Sequence, residues 1–257
     1  MCQRFKQNPM MKNDDVLSQD DVLSQKGQNK GVVAELIGAS KKFKSGNLEI
    51  VALQKTDLKL REGELLLIIG PSGSGKTTLI SLLGCVLYPT EGCVCINKIN
   101  TKDLNEKKLA KLRREEIGFV FQNFNLVAPL SAEENIKIPL VLNKLSKEAI
   151  KQKVYKALEW VELGNRRRSI PKQLSGGEQQ RVAIARALVS DPSIILCDEP
   201  TASLDSRSVE VILQELRGLA DAGKAVAVVT HDPRLERYAD RIIHLENGNI
   251  VDHLEDK

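Results

Sequence analysis

No stretch of this 257-residue sequence comes near the roughly 18 consecutive apolar residues that a membrane-crossing helix needs. The N-terminus is polar and lacks the apolar core of a secretory leader. The chain is therefore expected to be soluble by itself, with any membrane attachment made through a partner. An excess of charge of one sign is also lacking. With 38 Lys and Arg against 34 Asp and Glu, the net charge is only +4, too little to argue for nucleic acid, and none is expected as a partner. The five cysteines, Cys2, Cys85, Cys93, Cys95 and Cys197, contain no C-x-x-C pair, and reduced thiols fit a cytosolic setting. Cys93 and Cys95 stand two apart in a strand-like stretch, so they face the same way. They suit small buried hydrophobes, and a metal or redox pair stays open. What remains is an ordinary globular balance, 42% hydrophobic and 28% charged, able to support a sizeable core.

One segment dominates what is present. Gly70-Pro71-Ser72-Gly73-Ser74-Gly75-Lys76-Thr77 fills every fixed position of G-x-x-x-x-G-K-[ST]. The apolar run Glu64–Ile69 before it reads as a buried strand, and Thr77-Thr78-Leu79-Ile80-Ser81-Leu82-Leu83 after it reads as a helix. Glycines let successive N–H groups face one anion, and the helix N-terminus adds partial positive charge. In this pattern Lys76 reaches the β- and γ-phosphates and the Thr77 hydroxyl binds Mg²⁺.

Residues 1–31 read as a disordered tail, outside the domain at 32–257. The tail repeats Asp14-Asp15-Val16-Leu17-Ser18-Gln19 at once as Asp20–Gln25 and is too polar to bury much area; a short partner-binding motif is the alternative. Strands are expected at 32–36, 48–60, 92–97 and 117–122, the last ending on Gln122. Phe43 is placed on a loop, where it either stacks on a base or is partly buried. The basic helix 104–116 presents Lys107, Lys108, Lys111, Arg113 and Arg114 as a solvated face. A mostly helical insert spans about 123–190, with Ser146 capping a helix to about Leu163. Within it, Arg166-Arg167-Arg168 reads as a solvated turn. Leu174-Ser175-Gly176-Gly177-Glu178 then opens a helix as a second anion nest. One nucleotide does not obviously need two nests from one chain. Ser193–Cys197 is a buried strand ending on Asp198 and Glu199, placed to help hold Mg²⁺ and to take a proton from water. A helix at 206–220 follows. The strand 225–230 then carries His231 at its carboxyl end, where ligands of parallel sheets sit. A hairpin at 241–251 closes the chain.

Together these motifs resemble the nucleotide-binding subunit of an ABC transporter, over about residues 32–257. The phosphate loop, Gln122 of the Q-loop, the signature at 174–178, Asp198-Glu199, Ser203-Leu204-Asp205 of the D-loop and His231 occur in the family's order. The stretches Phe121–Leu126, Glu134–Leu140 and Pro171–Leu174 are similar to the lipoprotein-release and macrolide-export type. The resemblance implies an α/β fold: a P-loop NTPase, RecA-like core with an antiparallel β subdomain and an inserted α-helical subdomain. It implies an ATPase using ATP and Mg²⁺, peripheral on the cytoplasmic face of the inner membrane. Its partners would be a second copy and an integral membrane permease. Glu199, His231, Gln122 and Lys76 would be catalytic. The nucleotide would meet Phe43, Gly70–Thr78 and, across a dimer, Ser175, Gly176, Gly177, Glu178 and Asp205. Thr77, Gln122 and Asp198 would hold the metal. A soluble ABC ATPase acting on nucleic acid or protein without a permease is the alternative.

Overall fold

Strands that are apolar from end to end must be buried on both faces. The computed structural model, which describes residues 31–46, 48–201 and 206–254, meets that demand with a parallel sheet. The strands are Val32–Ser45 (β1), Leu48–Arg61 (β2), Leu65–Ile69 (β3), Glu91–Ile96 (β4), Ile99–Asn100 (β5), Ile117–Val120 (β6), Ile194–Asp198 (β7), Ala225–Val229 (β8), Arg241–Glu246 (β9) and Asn249–Leu254 (β10). The helices are Lys76–Leu83 (α1), Glu106–Glu116 (α2), Ala132–Leu142 (α3), Lys147–Trp160 (α4), Gly176–Leu188 (α5) and Ser206–Asp221 (α6).

The main sheet runs β10-β9-β3-β8-β7-β6, parallel except for the antiparallel edge strand β10. Alternate residues feed two cores. Leu66, Ile68, Ile194, Leu196, Ala225 and Ala227 face one side, with α1 and α2. Leu65, Leu67, Ile195, Cys197, Val226 and Val228 face the other, with α6. Each fully buried leucine or isoleucine contributes about 1.5–3 kcal/mol. Both cores therefore hold the carboxyl ends of β3, β7 and β8 in register. A smaller antiparallel sheet, β2-β1-β4-β5, packs on the α1 side.

The helical insert has a core of its own, in which Ile136, Leu140, Val154, Leu158, Leu163 and Val182 meet. Helix α5 serves two masters, since Ile184 joins the α6 core. Helix α4 stops at Trp160, short of the expected Leu163, because Glu162 turns to a positive φ of 56°.

Several local expectations are corrected. Phe43 lies in β1, not on a loop: the ladder with β2 continues to Ser45↔Leu48 and pairs Phe43 with Ile50. On α2, Lys107, Lys108 and Lys111 are exposed as expected. Arg113, however, donates to the Cys85 carbonyl at 2.9 Å and Arg114 to Asn143 Oδ1. Cys93 and Cys95 share a face of β4 but are only half-buried, and no cluster of three or more metal-type ligands occurs among the described residues. Burial pushes the Cys85 thiol up to about 11 and the Cys197 thiol to about 12, so both stay protonated and inert at neutral pH. The N-terminal tail, its hexapeptide duplication and the D-loop lie outside the described residues. Among the described residues, no helix is long and apolar enough to cross a membrane.

Candidate functional site

The loop between β3 and α1 is built tightly. A Cβ on Gly70 would stand 2.1 Å from the Leu245 carbonyl oxygen. Gly75 has a φ of 102°, and a Cβ there would stand 2.3 Å from the Ala52 carbonyl oxygen. Gly75 is also the N-cap of α1 and supplies no side-chain cap, so the first N–H groups of the helix stay open to an anion. Lys76 Nζ donates to the carbonyls of Gly70 (2.7 Å) and Pro71 (2.8 Å), which folds the ammonium back over the loop. Gly75→Ala is expected to cost about 2–5 kcal/mol, from left-handed strain plus overpacking against backbone. Urea unfolding checks this: the midpoint should fall at unchanged slope, and a loss below about 1 kcal/mol would mean the loop adapts.

Opposite the loop stand the carboxyl ends of β7 and β8. Asp198 is buried, and its Oδ1 has no hydrogen-bond partner. Burial raises its carboxyl above the ordinary range; a hydrogen bond with Thr77 and the charge of Lys76 pull it back, while the Glu199 charge pushes it up further. A buried carboxylate oxygen without a partner, beside a hydroxyl and an ammonium, suits a hard divalent cation. Glu199 turns out of β7 at a φ of 50°, its N–H pinned to the Val229 carbonyl at 2.9 Å. Left-handed backbone at a residue with a Cβ stores about 1–2 kcal/mol and persists where surrounding structure enforces it. Its Oε1 lies 3.0 Å from His231 Nδ1, and its buried Oε2 has no partner.

A cleft of about 500 Å³ gathers the loop from Gly70 to Thr78 with Gln122, Asp198, Glu199 and His231. Ser74 is the exception, buried beneath the loop. Phe43 does not line this cleft; it is exposed on the β1–β2 hairpin, with Lys41 Nζ 5.2 Å from its ring centre. The second nest does not line it either. Ser175 caps α5: its Oγ accepts from Glu178 N at 3.2 Å, and its own N–H donates to Glu178 Oε2 at 2.8 Å.

Two arginines tie these parts together. Arg186 on α5 donates to the carbonyls of Asn125 (2.6 Å) and Phe124 (2.8 Å), both left-handed residues of the loop after Gln122. Its signal was an arginine among apolar neighbours of a buried helix. Arg166, expected to be solvated, reaches Glu178 Oε1 at 3.2 Å and the Gln173 carbonyl at 2.8 Å.

A family model described as ABC transporter matches residues 53–202. The chain belongs to the ABC transporter family. It is an ATP-binding, ATP-hydrolysing subunit of that family, with the P-loop core, antiparallel sheet and helical subdomain that the sequence resemblance implied. An ABC transporter ATP-binding protein of Methanocaldococcus jannaschii, MJ0796, is 47% identical over 221 residues, covering 84% of this chain and 94% of that one. The macrolide export ATP-binding/permease protein MacB of Hyphomonas neptunium is 43% identical over 217 residues, 84% of this chain but 34% of that longer protein. Among solved structures, the dimeric post-hydrolysis state of the MJ0796 cassette bound to ADP and Pi superposes with a TM-score of 0.82 at 45% identity, covering 86% and 97% of the two chains.

Proposed function

We propose that two copies of this chain close head to tail around two ATP molecules, in a closed symmetric dimer that drives a membrane permease. One observation carries this reading. The phosphate loop and the Ser175–Gly177 segment each open a helix with glycine, and the second does not line the cleft formed around the first. A second copy would bring its nest to the exposed triphosphate, and the dimeric MJ0796 structures support that pairing.

In this reading Lys76 and the N–H groups of α1 hold the β- and γ-phosphates. Thr77, Asp198 and Gln122 would hold Mg²⁺, which when bound neutralises phosphate charge. Glu199 takes the proton of the water that attacks the γ-phosphorus, and His231 orients Glu199 and meets the γ-phosphate. Phe43 stacks on the adenine from the hairpin edge, and Asp205 links the two sites. ATP binds the closed pair better than the open one, and cleavage releases it.

The permease would meet the loop after Gln122. A groove of about 400 Å³ lies there, lined by Phe119, Phe121, Pro139 and Leu142 together with Arg113, Arg114 and Arg186. The MacB relatives, by name macrolide export ATP-binding/permease proteins, support work of the export kind; lipid or lipoprotein extraction, and a place at the cytoplasmic face of the inner membrane, belong to the same proposal. Light scattering on the Glu199→Gln chain tests the pairing. A single-chain mass without nucleotide should become twice that mass in ATP; a single-chain mass in saturating ATP would overturn the dimer.

A further inference from the structure

The capping box that shapes the start of α5 also creates a charge problem. Glu178 accepts the Ser175 N–H and thereby fixes Ser175 in the extended conformation a cap requires, φ −64° and ψ 163°. It does so with a carboxylate, one turn from where a triphosphate is to land. The backbone N–H of Ser175 holds that carboxyl below its ordinary range, with help from Arg166, so it carries its full negative charge at neutral pH. The partial positive charge of a helix N-terminus is about half an elementary charge. A full negative charge beside it repels a second anion.

Arg166 sits where that charge can be cancelled. Its Nε lies 3.2 Å from Glu178 Oε1, while the other carboxylate oxygen serves the cap. Its Nη2 holds the carbonyl of Gln173, two residues before the cap. The molecule contains its own control. Helix α3 opens with the same box, Ser131 with Glu134, at 2.8 and 3.3 Å. Among the described residues no cation forms an ion pair with Glu134, whose charge is met only at longer range by Lys137 of the same helix. The box therefore forms without a guanidinium, and Arg166 is not needed to make it. Nor does the pair hold the fold: with Arg166 43% exposed, such a surface contact contributes little to stability.

We propose that Arg166 is a positioning residue of the trans half-site, cancelling the Glu178 charge so that the capped start of α5 attracts the ATP held by the partner copy. The proposal rests on the two-copy reading above. The whole chain carrying Glu199→Gln, which is expected to bind ATP and turn it over slowly, is the parent for the test. Its ATP-dependent dimer dissociation constant is measured by sedimentation, alone and with Arg166→Met, Arg166→Lys, Glu178→Gln and the double change Arg166→Met/Glu178→Gln. The melting temperature is the fold control.

Arg166→Met should weaken the dimer about tenfold, because each dimer holds two such half-sites and a charge at a helix N-terminus acts a few-fold at each. Arg166→Lys keeps the charge and should stay within about threefold of the parent. In the Glu178→Gln background Arg166→Met should cost less than about threefold, since no carboxylate is left to cancel. A dimer as tight with Arg166→Met as without it overturns the proposal. So does an equal loss in the Glu178→Gln background, or a loss with Arg166→Lys as large as with Arg166→Met. If Arg166→Met does not fold, Arg166→Gln takes its place in the same comparisons, with the same expected and overturning results. Absence of any ATP-dependent dimer in the parent overturns the two-copy reading and this proposal with it.

Discussion

Glu199→Gln is expected to slow ATP turnover by about 10²–10⁴-fold, the contribution of a positioned general base, with ATP affinity of the single chain kept within a few-fold. The amide is the same shape, so the turn at Glu199 and the bond from its N–H to Val229 survive. What is lost is the ability to take a proton. Of the two carboxylate oxygens, Oε1 lies 3.0 Å from His231 Nδ1, and Oε2 is buried with no partner. Steady-state phosphate release measures the effect. Turnover within tenfold of the unaltered protein would place the base elsewhere.

Ser175→Arg should abolish the ATP-dependent dimer and lower turnover by at least about 10², the loss that follows removal of a donor to the transition state. Ser175 is exposed, so its own chain tolerates the larger side chain apart from the lost cap, about 0.5–2 kcal/mol. In the two-copy reading the nest should not tolerate it, because the added side chain would fill the space above Gly176 and Gly177 that the partner's phosphate is proposed to enter. Since Ser175 lies outside the cleft of its own chain, ATP binding by the single chain should persist. Light scattering and nucleotide titration separate the two effects. An intact ATP-dependent dimer in this variant would count against the sandwich.

The sequence made the phosphate side of the site readable because each part is local. A strand, a glycine loop and a helix follow one another from Leu65 to Leu83, and the acids at Asp198 and Glu199 end a continuous apolar run. Long-range pairing was less visible. The hairpin at β9 and β10 is a local signal, but the insertion of β9 beside β3, with Ile243 against Ile68, depends on partners some 175 residues apart. Phe43 shows another limit. Backbone pairing, not burial, extends β1 to Ser45, so no alternation of apolar residues marks the strand there. The partners of Arg166 and Arg186 were not legible for a related reason. Each acts by donating to carbonyls or to a capping carboxylate, and acceptors of that kind leave no residue-type signature.

The central claim is that each site is shared between two chains. The most direct measurement is ATP hydrolysis per chain as a function of chain concentration, at saturating ATP. The account predicts that the rate per chain rises in proportion to concentration while dimers are scarce, then levels off as they fill. A rate per chain that stays at its full value down to the lowest concentration would show a site complete within one chain, and would contradict it.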